Sequence, residues 1–471
     1  MPRAALHNLG CKVNAYETEA MQQQLEERGY EIVPFDQPAD VYIINTCSVT
    51  NIADRKSRQM LHRAKKLNPG AVVVAAGCYV QVAADALRED ASVDVIIGNN
   101  RKARLADILD AYMRDRGQTG ERENAGGEDT ADGCGSNVYV LDIAHTEEYE
   151  DLRVSRPGDH TRAFIKVQDG CNQFCSYCII PYARGRVRSR KPEEVAAEVK
   201  GLVEQGYKEV VLTGIHLSSY GTEHMVESPV KGGNWDCGPL WDLIGRIHGI
   251  QGLERIRLGS LEPRIITEEF ASRLAGLPKF CPHFHLSLQS GCDATLKRMN
   301  RHYTTRDYLE RCDILRTAFD HPAITTDVIV GFPGETQEEF AVTREFLERV
   351  HFYEMHVFKY SKRAGTRAAS MDDQVPEQVK AQRSDILLAL EQSMSAEYRR
   401  YFVGRQVSVL FEERVEIDKK SYMTGHTPQY VKAALSLEEG MDEDGLSGQI
   451  VQVRASGLLT DELLLVKFLQ K

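Results

Sequence analysis

The sequence lacks a long hydrophobic run, an excess of positive charge and an export signal. No segment approaches the roughly 18 consecutive apolar residues of a transmembrane helix, which excludes a membrane-spanning class. The 58 Lys and Arg residues are outnumbered by 69 Asp and Glu residues, so a uniformly basic nucleic-acid coat is excluded, although a local basic patch is not. The chain starts with Met-Pro-Arg and strand-like sequence rather than a basic stretch followed by an apolar one, so we expect a cytoplasmic protein.

The composition is that of a globular protein with many cysteines. The 471 residues are enough for about three domains of roughly 150 residues each. Hydrophobic residues make up 42% and charged residues 27%, a balance that excludes wholesale disorder. In a reducing cytosol the 11 cysteines are kept as thiols, so clustered ones predict metal ligands or catalysts rather than disulfides.

The first part of the chain, residues 1–113, alternates short apolar runs with helix-favouring charged stretches. The apolar runs are 4–9, 41–44, 71–76 and 93–97, and helical patterns cover 16–28 and 52–67. This alternation predicts an α/β domain with a doubly wound parallel sheet. A polar, Gly-rich stretch follows, and we interpret 114–156, which contains Cys134, as a linker.

Residues 157–401 resume the alternation. Strand patterns lie at 163–167, 209–212, 255–258, 283–288, 325–330 and 352–358, with helical patterns such as 192–205 and 304–319 between them. Six such units predict a partial βα barrel with its site at the carboxyl ends of the strands. The last part, 402–471, has short strand patterns broken by Gly and acidic turns, which predict a small antiparallel β barrel.

Three cysteines follow the first barrel strand directly, as Cys171, Cys175 and Cys178. This spacing places three thiolates on one compact loop. A closed structural zinc site prefers four ligands, and a ferredoxin cluster also takes four cysteines, but no fourth lies nearby. Three ligands leave one iron of a cluster open, which favours an iron–sulfur cluster that binds a further ligand.

Another three cysteines each follow an apolar strand pattern, at Cys11, Cys47 and Cys78. Their separations match one strand–helix–strand crossover each, so in a parallel sheet all three stand at the carboxyl edge, where open α/β sheets build their sites. The arrangement predicts a second cluster, again with one iron that no cysteine binds. The alternative is that each is a small buried residue that ends its strand.

The CxxxCxxC loop after the first barrel strand resembles the radical S-adenosylmethionine (SAM) superfamily, and the order of the three domains resembles its methylthiotransferase family. The resemblance implies two 4Fe–4S clusters, an auxiliary one on Cys11, Cys47 and Cys78 and a SAM-binding one on Cys171, Cys175 and Cys178. It also implies reductive cleavage of SAM to a 5′-deoxyadenosyl radical, an electron donor of the flavodoxin or ferredoxin type, and a TRAM domain as the C-terminal barrel.

The segments LGCKVNAYETE, NTCSVTNIADRKSRQ and AGCYVQ resemble one branch of this family. That branch adds a methylthio group to carbon 2 of N6-threonylcarbamoyladenosine at tRNA position 37, next to the anticodon. The alternatives are methylthiolation of isopentenyladenosine in tRNA or of a ribosomal protein. An alternative of another class is an RNA-binding iron–sulfur electron carrier, but such a carrier should supply four cysteines to each cluster.

Residues at other strand ends are candidates for SAM and RNA contacts. The SAM candidates are Gly214, Ser260, Glu262, Gln289 and Asp327. The RNA candidates lie in two basic stretches beside the predicted clusters, and they are Arg55, Arg58, Arg184 and Arg186. The remaining cysteines show no ligand spacing, and we interpret Cys237, Cys281, Cys292 and Cys312 as structural thiols.

The two cysteine triads predict the iron content of the protein. After anaerobic reconstitution, the chain should hold about eight irons and about eight acid-labile sulfides. Changing Cys171, Cys175 and Cys178 together to Ala should leave about half of each, because only one cluster loses its ligands. Loss of both clusters, or of neither, in this variant would contradict the two-site interpretation.

Overall fold

The computed structural model describes residues 1–118, 137–155, 158, 161–224, 237–437 and 445–469. Cys134 and much of the predicted linker lie outside these residues. The chain forms two compact units. The first consists of Met1–Gly158, Gln168–Arg190 and Ser361–Ala369, and the second of Asp159–Val167, Lys191–Tyr360 and Ser370–Lys471. The predicted domain boundaries near residues 113, 156 and 401 divide the chain into consecutive domains, and they stay a prediction. Each compact unit instead combines three segments that are not consecutive in the chain.

The first unit contains a parallel sheet of six strands. The strands are β1 (Arg3–Asn8), β2 (Glu31–Ile32), β3 (Val41–Thr46), β4 (Val72–Gly77), β5 (Val95–Ile97) and β6 (Val138–Tyr139). Their order is β2-β1-β3-β4-β5-β6, and every pair is parallel. The helices of this unit are α1 (Lys12–Glu27), α2 (Asn51–Leu67), α3 (Cys78–Arg88), α4 (Leu105–Gln118) and α5 (Ile180–Arg184).

Both faces of this sheet are covered by helices. All residues of β3 and β4 are buried, as expected for central strands of a parallel sheet. Tyr42 and Ile44 pack with Leu61 of α2 on one face, and Val41 and Ile43 pack on the other face with α1 and α4. The predicted doubly wound sheet is confirmed.

The second unit is built around a partial βα barrel. Its strands are β7 (Arg162–Asp169), β9 (Glu209–Gly214), β10 (Arg255–Leu258), β11 (His283–His285), β12 (Ala323–Val330) and β13 (Glu354–Lys359), while β8 (Arg188–Ser189) belongs to the first unit. The helices are α6 (Pro192–Glu204), α7 (Gly238–His248), α8 (Glu268–Ala275), α9 (Asp293–Arg298), α10 (Thr305–Ala318), α11 (Gln337–Val350) and α12 (Glu377–Arg400). β7 leaves this unit after Val167, and its last two residues pair with β8 within the first unit.

The barrel strands run in the predicted order. β7, β9 and β10 are neighbours in one sheet, and β11, β12 and β13 form another. Isolated parallel bridges, Ile256 to Phe280 and Leu261 to Leu286, connect the two sheets into one partial barrel. Capping boxes at Thr304 and Thr336 start α10 and α11, and α10 begins where the sequence pattern 304–319 indicated. Among the helices described, none combines the length and apolarity needed to cross a bilayer.

The C-terminal part of the second unit is a closed five-stranded barrel. Its strands are β14 (Gln406–Ile417), β15 (Lys420–His426), β16 (Lys432–Ser436), β17 (Ile450–Thr460) and β18 (Leu463–Phe468), in the order β14-β15-β16-β18-β17. All its pairs are antiparallel except β16 with β18. Gly425 is required where β15 crosses β14, because a Cβ there would lie 2.0 Å from the Leu410 carbonyl oxygen.

A buried carboxylate connects the two barrels of the second unit. Glu209, the first residue of β9, is fully buried and accepts hydrogen bonds from Arg257 Nε at 2.9 Å and Arg255 Nη1 at 3.4 Å. The two arginines also donate to carbonyl oxygens of the C-terminal barrel, at Pro428 and Ser408. Burial would raise the pKa of Glu209, but Arg257 and Arg255 outweigh it and lower the pKa to about 2.

We expect Glu209→Gln to lower the free energy of unfolding of the second unit by about 3 kcal/mol at pH 7. The carboxylate contributes fully above its unfolded pKa of 4.5, and the contribution is lost as the pH falls from there toward 2. The difference between variant and wild type should therefore shrink at pH 3. Urea titrations followed by the fluorescence of Trp241 measure both values.

The matched control is Glu254→Gln, because Glu254 pairs with Lys208 at 3.3 Å on the surface. We expect a change of at most about 0.5 kcal/mol for this variant. Equal effects of the two substitutions, or a Glu209 effect that does not depend on pH, would contradict the assignment.

Candidate functional site: two cysteine triads

The first triad lies at the carboxyl edge of the six-stranded sheet. Cys47 follows the last residue of β3, and Cys78 follows the last residue of β4. The final residues of these strands, Thr46 and Gly77, are paired in the sheet, so the two cysteines leave it side by side. Cys11 caps the start of α1 on the loop after β1, the strand on the other side of β3. The structure therefore brings the three thiols to one edge.

Two glycines allow the backbone to pass closely beside these cysteines. Gly10 has a φ of +119°, and a Cβ on it would lie 3.2 Å from the Sγ of Cys47. Gly77 has a φ of +97°, and a Cβ there would approach Asn45 Oδ1 to 2.5 Å. Both glycines are thus required by the backbone of the loops that carry the thiols. Three thiols at one sheet edge fit an iron–sulfur cluster, whose iron takes thiolate ligands.

The protonation of Cys47 adds a condition on metal binding. Burial raises the pKa of the Cys47 thiol to about 11. The neighbouring thiols of Cys78 and Cys11 act in the same direction. At neutral pH the metal-free site therefore holds a protonated thiol at Cys47, and a bound iron would have to displace this proton.

Two polar residues fix the loops that carry Cys11 and Cys47. The Asn14 side chain donates to the carbonyl oxygens of Leu9 at 2.8 Å and Thr46 at 3.0 Å, and so joins the ends of β1 and β3. Arg363 donates to Ser48 Oγ at 2.7 Å and pairs with Asp54 at 2.5 Å. Nothing in the sequence pattern pointed to Arg363, because its partners lie about three hundred residues away in the chain.

The second triad lies on the loop between β7 and α5. A Cβ on Gly170 would lie 1.8 Å from the Arg186 carbonyl oxygen, so the loop can turn there only at a glycine. The Cys171 amide donates to the Gly185 carbonyl at 3.0 Å, and the Cys178 amide to that of Cys175 at 3.0 Å. Cys175 and Cys178 are partly exposed. Three thiols on one closed loop fit a cluster with an open iron.

An aromatic and basic surface covers part of this loop. The Arg186 guanidinium lies 4.7 Å from the ring centroid of Phe174, and the exposed Tyr182 ring meets Phe174 edge-on with centroids 6.0 Å apart. These contacts hold Arg186 and Tyr182 against the Phe174 ring, and both residues remain exposed.

Arg184 was predicted to contact RNA, and this prediction is wrong. Its side chain is 0% exposed, so its guanidinium cannot meet a phosphate at the surface. Instead, Nε donates to Cys78 Sγ at 3.2 Å, and Nη1 donates to Glu17 at 2.8 Å and to Asp169 at 3.1 Å. Nη2 donates to Asn14 Oδ1 at 2.6 Å.

Cations and carboxylates are paired within this buried group. Lys102, also fully buried, forms an ion pair with Glu17, and Arg188 Nη2 lies 3.9 Å from the Asp169 carboxylate. Together with Arg184, three buried cations therefore face the carboxylates of Glu17 and Asp169. Burial alone would lower the pKa of Arg184, but Asp169, Cys78 and Glu17 outweigh it and raise the pKa well above its ordinary value. The guanidinium is therefore always charged.

The other three predicted RNA contacts are at the surface. Arg55 and Arg58 lie on α2 and are exposed, and Arg58 also donates to the Tyr79 hydroxyl at 2.8 Å. Arg186 is exposed between α5 and β8. All three are placed where a phosphate could reach them, and their role stays a prediction.

The predicted SAM contacts lie in the second unit, near the carboxyl ends of barrel strands. Gly214 ends β9, and Ser260 is exposed just after β10. Glu262 is buried, and its carboxylate accepts hydrogen bonds from the Arg264 amide at 3.0 Å and from Arg264 Nε at 2.7 Å. Glu262 thus orients Arg264, a residue that the sequence patterns did not single out.

The other two candidates adjoin each other. Gln289 has a φ of +74°, and its backbone N–H donates to the backbone carbonyl oxygen of Asp327 at 2.8 Å. The Asp327 carboxylate lies 3.3 Å from His285 Nε2, and His356 completes a group whose ligand atoms lie within 4.8 Å of one another. These side chains come from β11, β12 and β13 and offer both donors and acceptors.

Two family models match the chain. The first is the Radical SAM superfamily over residues 165–347, and the second is the uncharacterized protein family UPF0004 over residues 3–98. Among solved structures, the radical S-adenosylmethionine methyltransferase TsrM from Kitasatospora setae has a TM-score of 0.53 at 17% identity and covers 76% of this chain and 73% of its own. At this identity the likeness shows a shared fold.

Relatives match over nearly the whole chain. The threonylcarbamoyladenosine tRNA methylthiotransferase MtaB of Bacillus subtilis is 41% identical over 96% of this chain and 94% of its own length. Its namesake from Aquifex aeolicus is 38% identical over 89% and 95%. A tRNA-2-methylthio-N(6)-dimethylallyladenosine synthase of Thermoanaerobacter sp. is 35% identical over 86% and 81%. The chain belongs to the methylthiotransferase family of radical SAM enzymes.

Proposed function

We propose that this enzyme transfers a methylthio group to carbon 2 of N6-threonylcarbamoyladenosine in tRNA, at position 37 next to the anticodon. Two relatives named for this substrate match at 41% and 38% identity, above the 35% of a relative named for dimethylallyladenosine. The sequence segments around Cys11, Cys47 and Cys78 favour the same substrate, because they resemble the threonylcarbamoyladenosine branch.

The observation that carries the proposal is that both cysteine triads belong to one compact unit, each with three thiols. Enzymes of this family carry two 4Fe–4S clusters and use SAM. Bound there, these groups supply the radical and the sulfur chemistry that carbon 2 of adenine needs, since it is unreactive toward ionic sulfur transfer. We assign Cys11, Cys47 and Cys78 to the auxiliary cluster and Cys171, Cys175 and Cys178 to the SAM-binding cluster.

The chain's own residues would hold the substrates and exclude water. In the second unit, Gly214 would allow close approach of SAM, and Ser260, Gln289 and Asp327 would accept or donate hydrogen bonds to it. Glu262 would act through Arg264, because its carboxylate already accepts two hydrogen bonds from that residue. The reducing electron would come from a donor of the flavodoxin or ferredoxin type.

The tRNA would meet the exposed basic residues of the first unit. Arg55 and Arg58 lie on the helix after Cys47, and Arg186 lies over Phe174 on the second cysteine loop. Such arginines neutralise phosphates and position the nucleic acid. The target base must leave its stack to expose carbon 2, and an unpaired anticodon-loop base does so at small cost.

The second candidate is isopentenyladenosine in tRNA, the class of substrate named for the relative at 35% identity. It differs at the group on N6, while carbon 2 and the chemistry stay the same. The proposed radical and sulfur steps therefore do not depend on which of the two adenosines is used.

We expect the two triads to have separable roles. A Cys171/Cys175/Cys178→Ala variant should release no 5′-deoxyadenosine from SAM under reducing conditions, because it lacks the SAM-binding cluster. A Cys11/Cys47/Cys78→Ala variant should still release it but form no methylthio product. Chromatography of the nucleosides measures both products.

Cys237→Ala is the matched control, because Cys237 is a partly buried thiol outside both triads. It should keep both activities. Normal methylthio product from the Cys11/Cys47/Cys78 variant would refute the auxiliary assignment.

We also expect the enzyme to discriminate between substrates. Purified enzyme is offered tRNA that carries threonylcarbamoyladenosine, tRNA that carries isopentenyladenosine, or the ribosomal protein, each with SAM and reductant. Mass spectrometry should find methylthio product on the first alone. Product on either of the others, and none on the first, would overturn the substrate assignment while leaving the chemistry intact.

A further inference from the structure

The Cys78 sulfur receives hydrogen bonds from two buried side chains. Arg184 Nε lies 3.2 Å from Sγ, and Asn99 Nδ2 lies 3.7 Å from it. Both donors are at most 2% exposed, so water does not compete for them. An N–H that points at a cysteine sulfur stabilises negative charge on that sulfur, and it does so more strongly when the donor is a cation.

Arg184 cannot turn away from Cys78, because its other nitrogens are also held. Nη1 is shared by Glu17 and Asp169, and Nη2 donates to Asn14 at 2.6 Å and to Glu17 at 3.0 Å. A planar guanidinium held on two sides has its Nε–H direction fixed. The direction of the contact to Cys78 is therefore set by the buried carboxylates.

Arg184 itself and Asp169, one of the residues that fix it, flank the second cysteine loop. Asp169 precedes Cys171 by two residues, and Arg184 ends the short helix α5 that starts soon after Cys178. Asn99, the second donor to Cys78, also donates to the Ala183 carbonyl at 2.7 Å. Both donors to Cys78 are thus held by residues next to the CxxxCxxC loop.

Hydrogen bonds and positive charge near a ligating sulfur favour the reduced state of an iron–sulfur cluster, since this state carries one more negative charge. The effect is large only in a buried, low-dielectric site. Arg184 meets both conditions, because it is a permanent cation, is fully buried and lies in hydrogen-bond contact with the sulfur.

We propose that Arg184 is a positioning residue that fixes the Cys78 sulfur and raises the reduction potential of the auxiliary cluster. The inference rests on the proposed function, because it takes Cys78 as a ligand of that cluster. It assigns to Arg184 a role in the electronic state of the site in place of the predicted RNA contact.

The test uses protein in which Cys171, Cys175 and Cys178 are all changed to Ala, so that the auxiliary cluster alone remains after anaerobic reconstitution. Arg184→Lys is added to this background, because Lys keeps the charge opposite Glu17 and Asp169 but lacks the fork that aims Nε at Cys78. A redox titration followed by electron paramagnetic resonance measures the midpoint potential. We expect a shift to lower potential equivalent to about tenfold in the reduction equilibrium, about 59 mV for one electron.

The matched control is Arg190→Lys. Arg190 is another arginine buried in the same segment, and it contacts the Tyr16 hydroxyl at 3.3 Å and Asp151 at 3.6 Å. Its substitution should leave the potential unchanged. An equal shift in both variants would show a general effect of disturbing the segment and would overturn the inference.

The remaining outcomes are also decisive. An Arg184→Lys protein that holds about four irons at an unchanged potential would overturn the inference, while the proposed function would stand. If that variant holds no cluster, Arg184→Gln takes its place, because Gln keeps a side-chain N–H donor but removes the cation beside Cys78. It should also shift the potential downward, and an unchanged potential would overturn the inference. A background protein without any cluster would overturn the Cys78 assignment itself, and no tRNA enters any of these measurements.

Discussion

Burying a guanidinium in a protein requires that its charge and its donors be satisfied without water, because the desolvation cost otherwise exceeds any gain. Arg184 satisfies this requirement with two carboxylates, one amide and one sulfur. Its partners come from α1, from the start of α3 and from the end of β7. The arrangement of both cysteine loops in the first unit depends on this one group.

The second unit also contains a buried charged group that is satisfied without water, but this group is an anion. There a buried carboxylate, Glu209, is surrounded by arginines that also reach carbonyl oxygens of the C-terminal barrel. In both units a single buried charge holds together elements that are far apart in sequence. Removing it leaves unpaired charges behind, which is more costly than the loss of the pair itself.

The sequence predicted the elements well where a local pattern determines them. The buried strands are apolar runs in the sequence. The spacing of one strand–helix–strand crossover between successive cysteines predicted that Cys11, Cys47 and Cys78 lie at the carboxyl edge of the sheet. Two strands of the C-terminal barrel, Lys420–His426 and Lys432–Ser436, were missed, because the first mixes Ser, Thr and Gly with its apolar residues and the second has a run of only three apolar residues. Arg184 was wrongly predicted to be exposed, because a run of alternating arginines is typical of a surface segment. Its partners Glu17 and Asp169 are brought to it only by the tertiary fold, so no local pattern indicates them.

The first unit is assembled from three separate segments, the last of which ends at Ala369. A ribosome therefore releases Cys11, Cys47 and Cys78 long before it releases Arg363, which holds the loop after Cys47. A domain that folds during synthesis can be completed only after its last segment has left the ribosome. Until then, the thiols of Cys11, Cys47 and Cys78 belong to an incompletely folded unit. Completion of the unit that holds the two cysteine triads is thereby delayed until most of the chain has been made.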